Sequence, residues 1–144
     1  APIIIFDPKR MVISLVHAGW KGAFKGIVKK VVTFFKKKGS NVKDLIAVIG
    51  PCISIKNYEI KKDFMKKFLK KDKKNKIYFK FSHNKIFFDL RKYISFQIKS
   101  FGINKLEIIN KDTFSVKNSY FSARRSLVKK EKDYGRNISL IMIN

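Results

Sequence analysis

The stretch SLVHAGWKG, residues 14–22, sets one of two histidines, the only tryptophan and two glycines directly behind an apolar run. An imidazole where a strand stops can bind a metal or move a proton, because strand ends are where α/β proteins gather ligands. Glycines such as Gly19 would let backbone approach a bound molecule closely. The plainer reading makes His17 a polar residue beside a turn and Trp20 a core side chain. GPCI (50–53) carries the only cysteine, Cys52. Its thiol is either a nucleophile, given a base such as His17, or a small buried residue in a tight turn. YFSARR (120–125) ends in adjacent arginines. Two neighbouring guanidinium groups repel unless an anion or carboxylates lie between them. Arg124 and Arg125 therefore point to a phosphate or carboxylate ligand, or to ion pairs with Asp112 or Asp133. His83, in SHNK, reads as a solvated turn residue.

These groups need elements to hold them. PIIIF reads as a buried strand closed by the turn DPKR, and MVISLVH as a second strand ending at His17. From Ala23 to Lys38 the spacing turns helical. Phe24, Ile27, Val28, Val31, Val32 and Phe35 make one apolar stripe, and Gly39 follows three lysines as a C-terminal cap. LIAVI (45–49) reads as a buried strand stopped by Gly50-Pro51. Residues 60–70 read as a short helix with Phe64, Met65, Phe68 and Leu69 inward, and 70–76 as a charged loop. IYFKF and KIFF form a hairpin across SHN. Asp89 caps a helix that runs through Ser100 and ends at Gly102. LEII (106–109), SYFSARR and the closing ISLIMI are read as strands, with EKDYGR a polar turn. The order β β α β α β β α β β β predicts an α+β (mixed α/β) domain spanning 1–144, its mixed sheets flanked by outer helices. No internal repeat or linker marks a second domain.

The bulk composition narrows the class. Apolar residues make up 45% and aromatics 14%, with 14 Phe, which is enough for a core and too much for a disordered chain. No apolar run approaches the roughly 18 residues of a membrane span. No signal peptide is visible, and a single cysteine suits a reducing compartment, so the expected location is cytoplasmic. A zinc site built from several cysteines is excluded. The opening APIIIF reads like the middle of a strand, so a C-terminal portion of something longer, or a processed product, is expected. The net charge is +24, from 34 Lys and Arg against 10 Asp and Glu, yet only five of the basic residues are Arg. One reading is a nucleic-acid or anionic-surface binder. The other is a lysine-rich genome with solvated lysines spread over the surface, not gathered on one helix face or tail. Either way the field draws small anions toward a cleft.

Taken in order, HAGWKG, GPCI…YE, DLR…Q, DT, YFSARR and DYGRNISLI resemble the YfiH-like family, also labelled laccase-domain or multicopper polyphenol oxidase proteins. The resemblance covers almost the whole chain. It implies a cytoplasmic mixed α/β fold and a purine nucleoside phosphorylase. The substrates implied are adenosine, inosine, guanosine and methylthioadenosine with phosphate, and an adenosine deaminase side activity accompanies them. It implies a zinc, with copper as the alternative, held by two His and one Cys. His17 matches the second of those histidines, while the cysteine and the first histidine belong upstream of Ala1. Cys52 sits in the GPC box and does not replace the missing ligand. Arg124 and Arg125 are then the phosphate-binding catalytic pair, and Gly19, Trp20 and Phe121 border the purine. One donor of three binds zinc poorly, so the 144-residue chain alone is expected to be inactive. The alternatives are a copper-dependent phenol oxidase and a non-enzymatic basic chain that binds nucleic acid by charge alone.

Overall fold

The computed structural model describes residues 1–143 and has a mixed α+β architecture with one mixed and one antiparallel sheet. It divides into two compact units, each built from separated segments: 1–51, 93–110 and 138–144, and 52–92 with 111–137.

The first unit is built on the strands β1 (Pro2–Asp7), β2 (Val12–His17), β3 (Ile46–Ile49) and β7 (Lys105–Ile108), in the order β2-β1-β3-β7. β1 pairs antiparallel with both β2 and β3, and β3 pairs parallel with β7. The turn between β1 and β2 closes because the Asp7 carboxylate accepts from the backbone N–H of Lys9 (2.9 Å) and Arg10 (3.1 Å). β1 and β3 are the expected buried strands PIIIF and LIAVI. Their burial is on one face of the sheet. Ile3 and Ile5 stand opposite Ile49 and Ala47 and are shut away from water, while Ile4, Phe6, Leu15 and Ile46 on the other face stay partly exposed.

The expected helix Ala23–Lys38 is two helices, α1 (Trp20–Phe24) and α2 (Ile27–Lys37), because Gly26 takes a left-handed φ of 83° between them. The apolar stripe holds within α2, where Val28, Val31, Val32 and Phe35 are buried. Gly39, at φ 81°, ends α2 as expected.

In the second unit β4 (Glu59–Ile60), β6 (Lys85–Phe88) and β5 (Phe79–Ser82) form an antiparallel sheet in that order. β5 and β6 are joined by His83-Asn84, both left-handed, as a two-residue hairpin requires. α3 (Lys62–Lys71) packs its apolar side on this sheet. Phe64 and Phe68 meet Phe79 and Phe88 with ring centroids 4.8–6.3 Å apart. Phe68 and Phe88 are fully buried, each contributing about 2–3 kcal/mol. The segment expected to be a charged loop is instead the end of α3 and a 3-10 turn, Lys73–Tyr78, capped by the Asp72 carboxylate on the Lys74 N–H. α4 (Leu90–Ser100) begins where the Asp89 carboxylate accepts from the Lys92 N–H, and Gly102 stops it.

Two expected strands are absent. SYFSARR is not a strand: Ser122 caps α5 (Ala123–Val128) by accepting from the Arg125 N–H, and that cap outweighs the strand preference of Tyr120 and Phe121. Residues 138–143 form no strand either, and Ile138, Leu140 and Met142 are about four-fifths exposed.

Candidate functional site

In the first unit, His17 is the last residue of β2, paired with Pro2 across the sheet, and its side chain is exposed. The next residue, Ala18, is fully buried and donates its N–H to the Ala1 carbonyl at 2.7 Å, which fixes the strand's exit. Gly19 then opens α1. A Cβ there would sit 3.2 Å from His17 Nε2, so the glycine keeps that edge of the ring clear. Partial burial holds the imidazole below its ordinary pKa. It is therefore neutral at pH 7, with a nitrogen lone pair available. Trp20 is half-buried, and Lys21 Nζ lies 5.7 Å from its ring centroid. Further along, Gly50 is required because a Cβ there would strike Pro2 Cγ at 2.6 Å.

In the second unit the two arginines divide. Arg125 spends its guanidinium on backbone: Nη1 donates to the carbonyls of Thr113 (3.0 Å) and Phe114 (2.9 Å), and Nη2 to that of Tyr120 (2.6 Å). It ties α5 to the loop before it. Arg124, half-buried, lies over the Tyr58 ring, 5.5 Å from its centroid. Burial pushes the Tyr58 phenol up to about 12, against the opposing pull of Arg124. Neither expected carboxylate pairs with the arginines. Asp133 pairs with Arg136 at 2.8 Å. Asp112 accepts from Ser54 N–H (3.1 Å), Ser54 Oγ (2.5 Å), Asn57 Nδ2 (2.7 Å) and Phe114 N–H (2.9 Å). Burial raises its pKa, but these four donors together hold it below the ordinary carboxylate value.

Cys52 is buried and bridged in parallel to Asp112, and its carbonyl accepts from Arg91 at 3.1 Å. That is the small-residue-in-a-turn reading; the thiol lacks a nucleophile's exposure. Phe121 is exposed. Its backbone exchanges two hydrogen bonds with the Asn137 side chain, and its ring lies against the Cα of Gly135, where no Cβ fits. EKDYGR reads as a polar turn, and nothing in its local pattern signals the role of Asn137 just beyond it. Nor does local pattern signal the Asp112 hub, whose partners Ser54 and Asn57 lie 58 and 55 residues away.

Among the described residues no group of three His, Cys, Asp or Glu could hold a metal ion. His17 is one donor where three are needed for a zinc or copper site, so these residues do not fit such a metal by themselves. Among them also, no helix is long and apolar enough to cross a membrane.

The mixed sheet, the antiparallel sheet and the helices beside them define an α+β protein in which one strand, β2, ends in an exposed imidazole. The chain belongs to the family described as multi-copper polyphenol oxidoreductase laccase, whose model matches residues 1–144. It is 37% identical over 139 residues to a purine nucleoside phosphorylase of Rickettsia conorii, covering 95% of this chain and 57% of that one. A purine nucleoside phosphorylase of Bacteroides thetaiotaomicron is 31% identical over 148 residues, covering 99% and 53%. The solved YfiH of Bacillus licheniformis, called a hypothetical protein, superposes with a TM-score of 0.77 at 26% identity, covering 88% of this chain and 49% of that one. YlmD of Geobacillus stearothermophilus, at 20% identity and a TM-score of 0.76, shares the fold. The chain thus spans about half the length of the relatives it matches.

Proposed function

We propose that this chain is part of a purine nucleoside phosphorylase. The carrying observation is its 37% identity, across 95% of its length, to a relative of that name. The reaction breaks the bond from the sugar's anomeric carbon to the purine nitrogen. A phosphate oxygen bonds to that carbon, and the purine leaves with its electron pair and takes a proton. Phosphate must be held while negative charge builds on the purine. Arg124 suits the anion: its side chain is steadied by the Tyr58 ring, and among the described residues neither Asp112 nor Asp133 pairs with it. Arg125 serves by fixing the loop 113–120 through its three carbonyl contacts. Phe121 presents an exposed ring suited to a purine face. Trp20 and Gly19 flank His17, which is this chain's one contribution to a zinc or copper ligand set. Adenosine, inosine, guanosine and methylthioadenosine are the substrates proposed, with adenosine deamination as a side activity.

The test is phosphate-dependent release of adenine or hypoxanthine, followed by chromatography, for residues 1–144 alone and for a longer product of the same gene that contains them. The longer product is expected to release purine, and Arg124→Ala to lower kcat/KM for phosphate about a hundredfold. The chain alone is expected to be silent. Brisk release by the chain alone would show that the ligand set is not incomplete. No release from the longer product, or oxidation of a phenol without purine release, would sink the phosphorylase reading.

A further inference from the structure

In the second unit, α3 and the β5–β6 hairpin border an open groove of about 570 Å³. Lys62, Lys66 and Lys85 line it, together with Phe81, Met65 and His83. None of these residues belongs to the site discussed above. We propose that this groove binds single-stranded nucleic acid, with phosphates on the lysines and a base on the Phe81 ring.

The sequence suggests lysines scattered without pattern, but the fold sorts them. Lys62, Lys66 and Lys70 stand four residues apart on α3, one exposed stripe along the helix. Across the groove, the hairpin lifts Phe81 to 56% exposure on the face that meets α3, while Lys85, opposite Ser82 at the tip, belongs to the other row of side chains and reaches the groove only at its rim. A phenyl ring that far out of the core does little for folding. Set among cations, it is a stacking platform. Two carboxylates stand near: Asp63, exposed on α3 between Lys62 and Lys66, and Glu59, 3.1 Å from Lys85. An exposed pair of that kind is weak enough for a phosphate to displace. Ser82 Oγ bonds His83 Nδ1 at 2.9 Å, leaving the far edge of that imidazole to meet sugar or phosphate.

The aromatic ring is what distinguishes this ligand from others that +24 would attract. An acidic peptide or an anionic membrane needs only the charge. Nor does any arginine fork line the groove to read duplex base edges. A stacking ring beside a row of cations reads unpaired bases with little sequence preference.

The experiment measures fluorescence anisotropy of a labelled oligouridylate of roughly ten nucleotides across a salt series. Phe81→Ala is expected to weaken binding on the order of tenfold. Replacing Lys62, Lys66 and Lys85 together by Gln should flatten the log–log salt slope by about two, the value for three phosphate contacts on a single strand. The matching control replaces Lys29, Lys30 and Lys36, exposed on α2, and should move the slope far less. Circular dichroism confirms that each variant is folded. Equal losses from groove and control lysines, or no effect of Phe81→Ala, would overturn the proposal. So would phosphatidylserine vesicles that bind more tightly than the oligonucleotide through the same lysines.

Discussion

The Cα of Gly19 stands so close to His17 that a methyl group on it would lie 3.2 Å from the imidazole Nε2. The backbone at Gly19 is ordinary, at φ −67° and ψ 168°, so alanine is permitted there by conformation and opposed only by the ring. Gly19→Ala is therefore expected to cost less than about 1 kcal/mol of stability, since an exposed ring can swing aside. The His17 ring should nonetheless take a new rotamer, seen as a shift of its side-chain NMR resonances. An unmoved His17 spectrum would mean that the glycine is not there for the ring.

Arg124 and Arg125 should separate in a denaturation experiment. Arg125 holds three carbonyls from two stretches of chain, which one lysine ammonium cannot span. Arg125→Lys is expected to cost about 2 kcal/mol in urea unfolding and to expose amides of residues 113–120 to faster hydrogen exchange. Arg124→Lys keeps its charge and loses mainly the flat contact with Tyr58, worth at most about 1 kcal/mol. Equal destabilisation by the two would contradict this division.

Asp112 links stability to acid. Its four donors favour the ionised form, so its folded pKa lies below the unfolded value of about 3.9. Its contribution is therefore complete above that value and is lost as pH falls through the lower, folded pKa. Asp112→Asn turns an amide N–H₂ toward donors and should cost about 2 kcal/mol at pH 7. The penalty should shrink in acid, at a pH low enough to protonate the wild-type carboxyl as well. Paired urea titrations at the two pH values measure it; a penalty that does not change with pH would show that the hub is not held by charge.

What was legible in the sequence was what local spacing dictates. Val28 to Phe35 could only be one face of a helix, and Phe79 to Phe88 alternates on either side of a two-residue turn. The break at Gly26 was hidden because Phe24 and Ile27 keep helical spacing across it. At YFSARR the strand-favouring Tyr120 and Phe121 masked the Ser122 cap, which lies at the one position that decides the segment. In the candidate site, His17 was legible because its glycine neighbours mark an open strand end. The commitment of Arg125 to backbone was not, since it depends on where the carbonyls of residues 113–120 come to rest. Residues 138–143 alternate like a strand, but a strand needs a neighbour, and hydrogen-bond partners lie outside what a local pattern encodes.

The two faces of the first sheet should respond differently to the same kind of change. Ile49 is fully buried opposite Ile3, so Ile49→Ala opens a cavity and is expected to cost 2–5 kcal/mol, on the order of other buried aliphatic truncations. On the opposite face, Leu15 and Ile46 each leave 37% of their surface in water beside Ile4 and Phe6. Threonine suits a strand and removes apolar surface, so the double variant Leu15→Thr, Ile46→Thr should cost under about 1.5 kcal/mol. Because an apolar sheet face in water favours association, the same variant should bind less of a hydrophobic dye and sediment with less self-association than the wild type. A loss of 3 kcal/mol or more from that double variant, on the order of a core truncation, would mean that both faces are core.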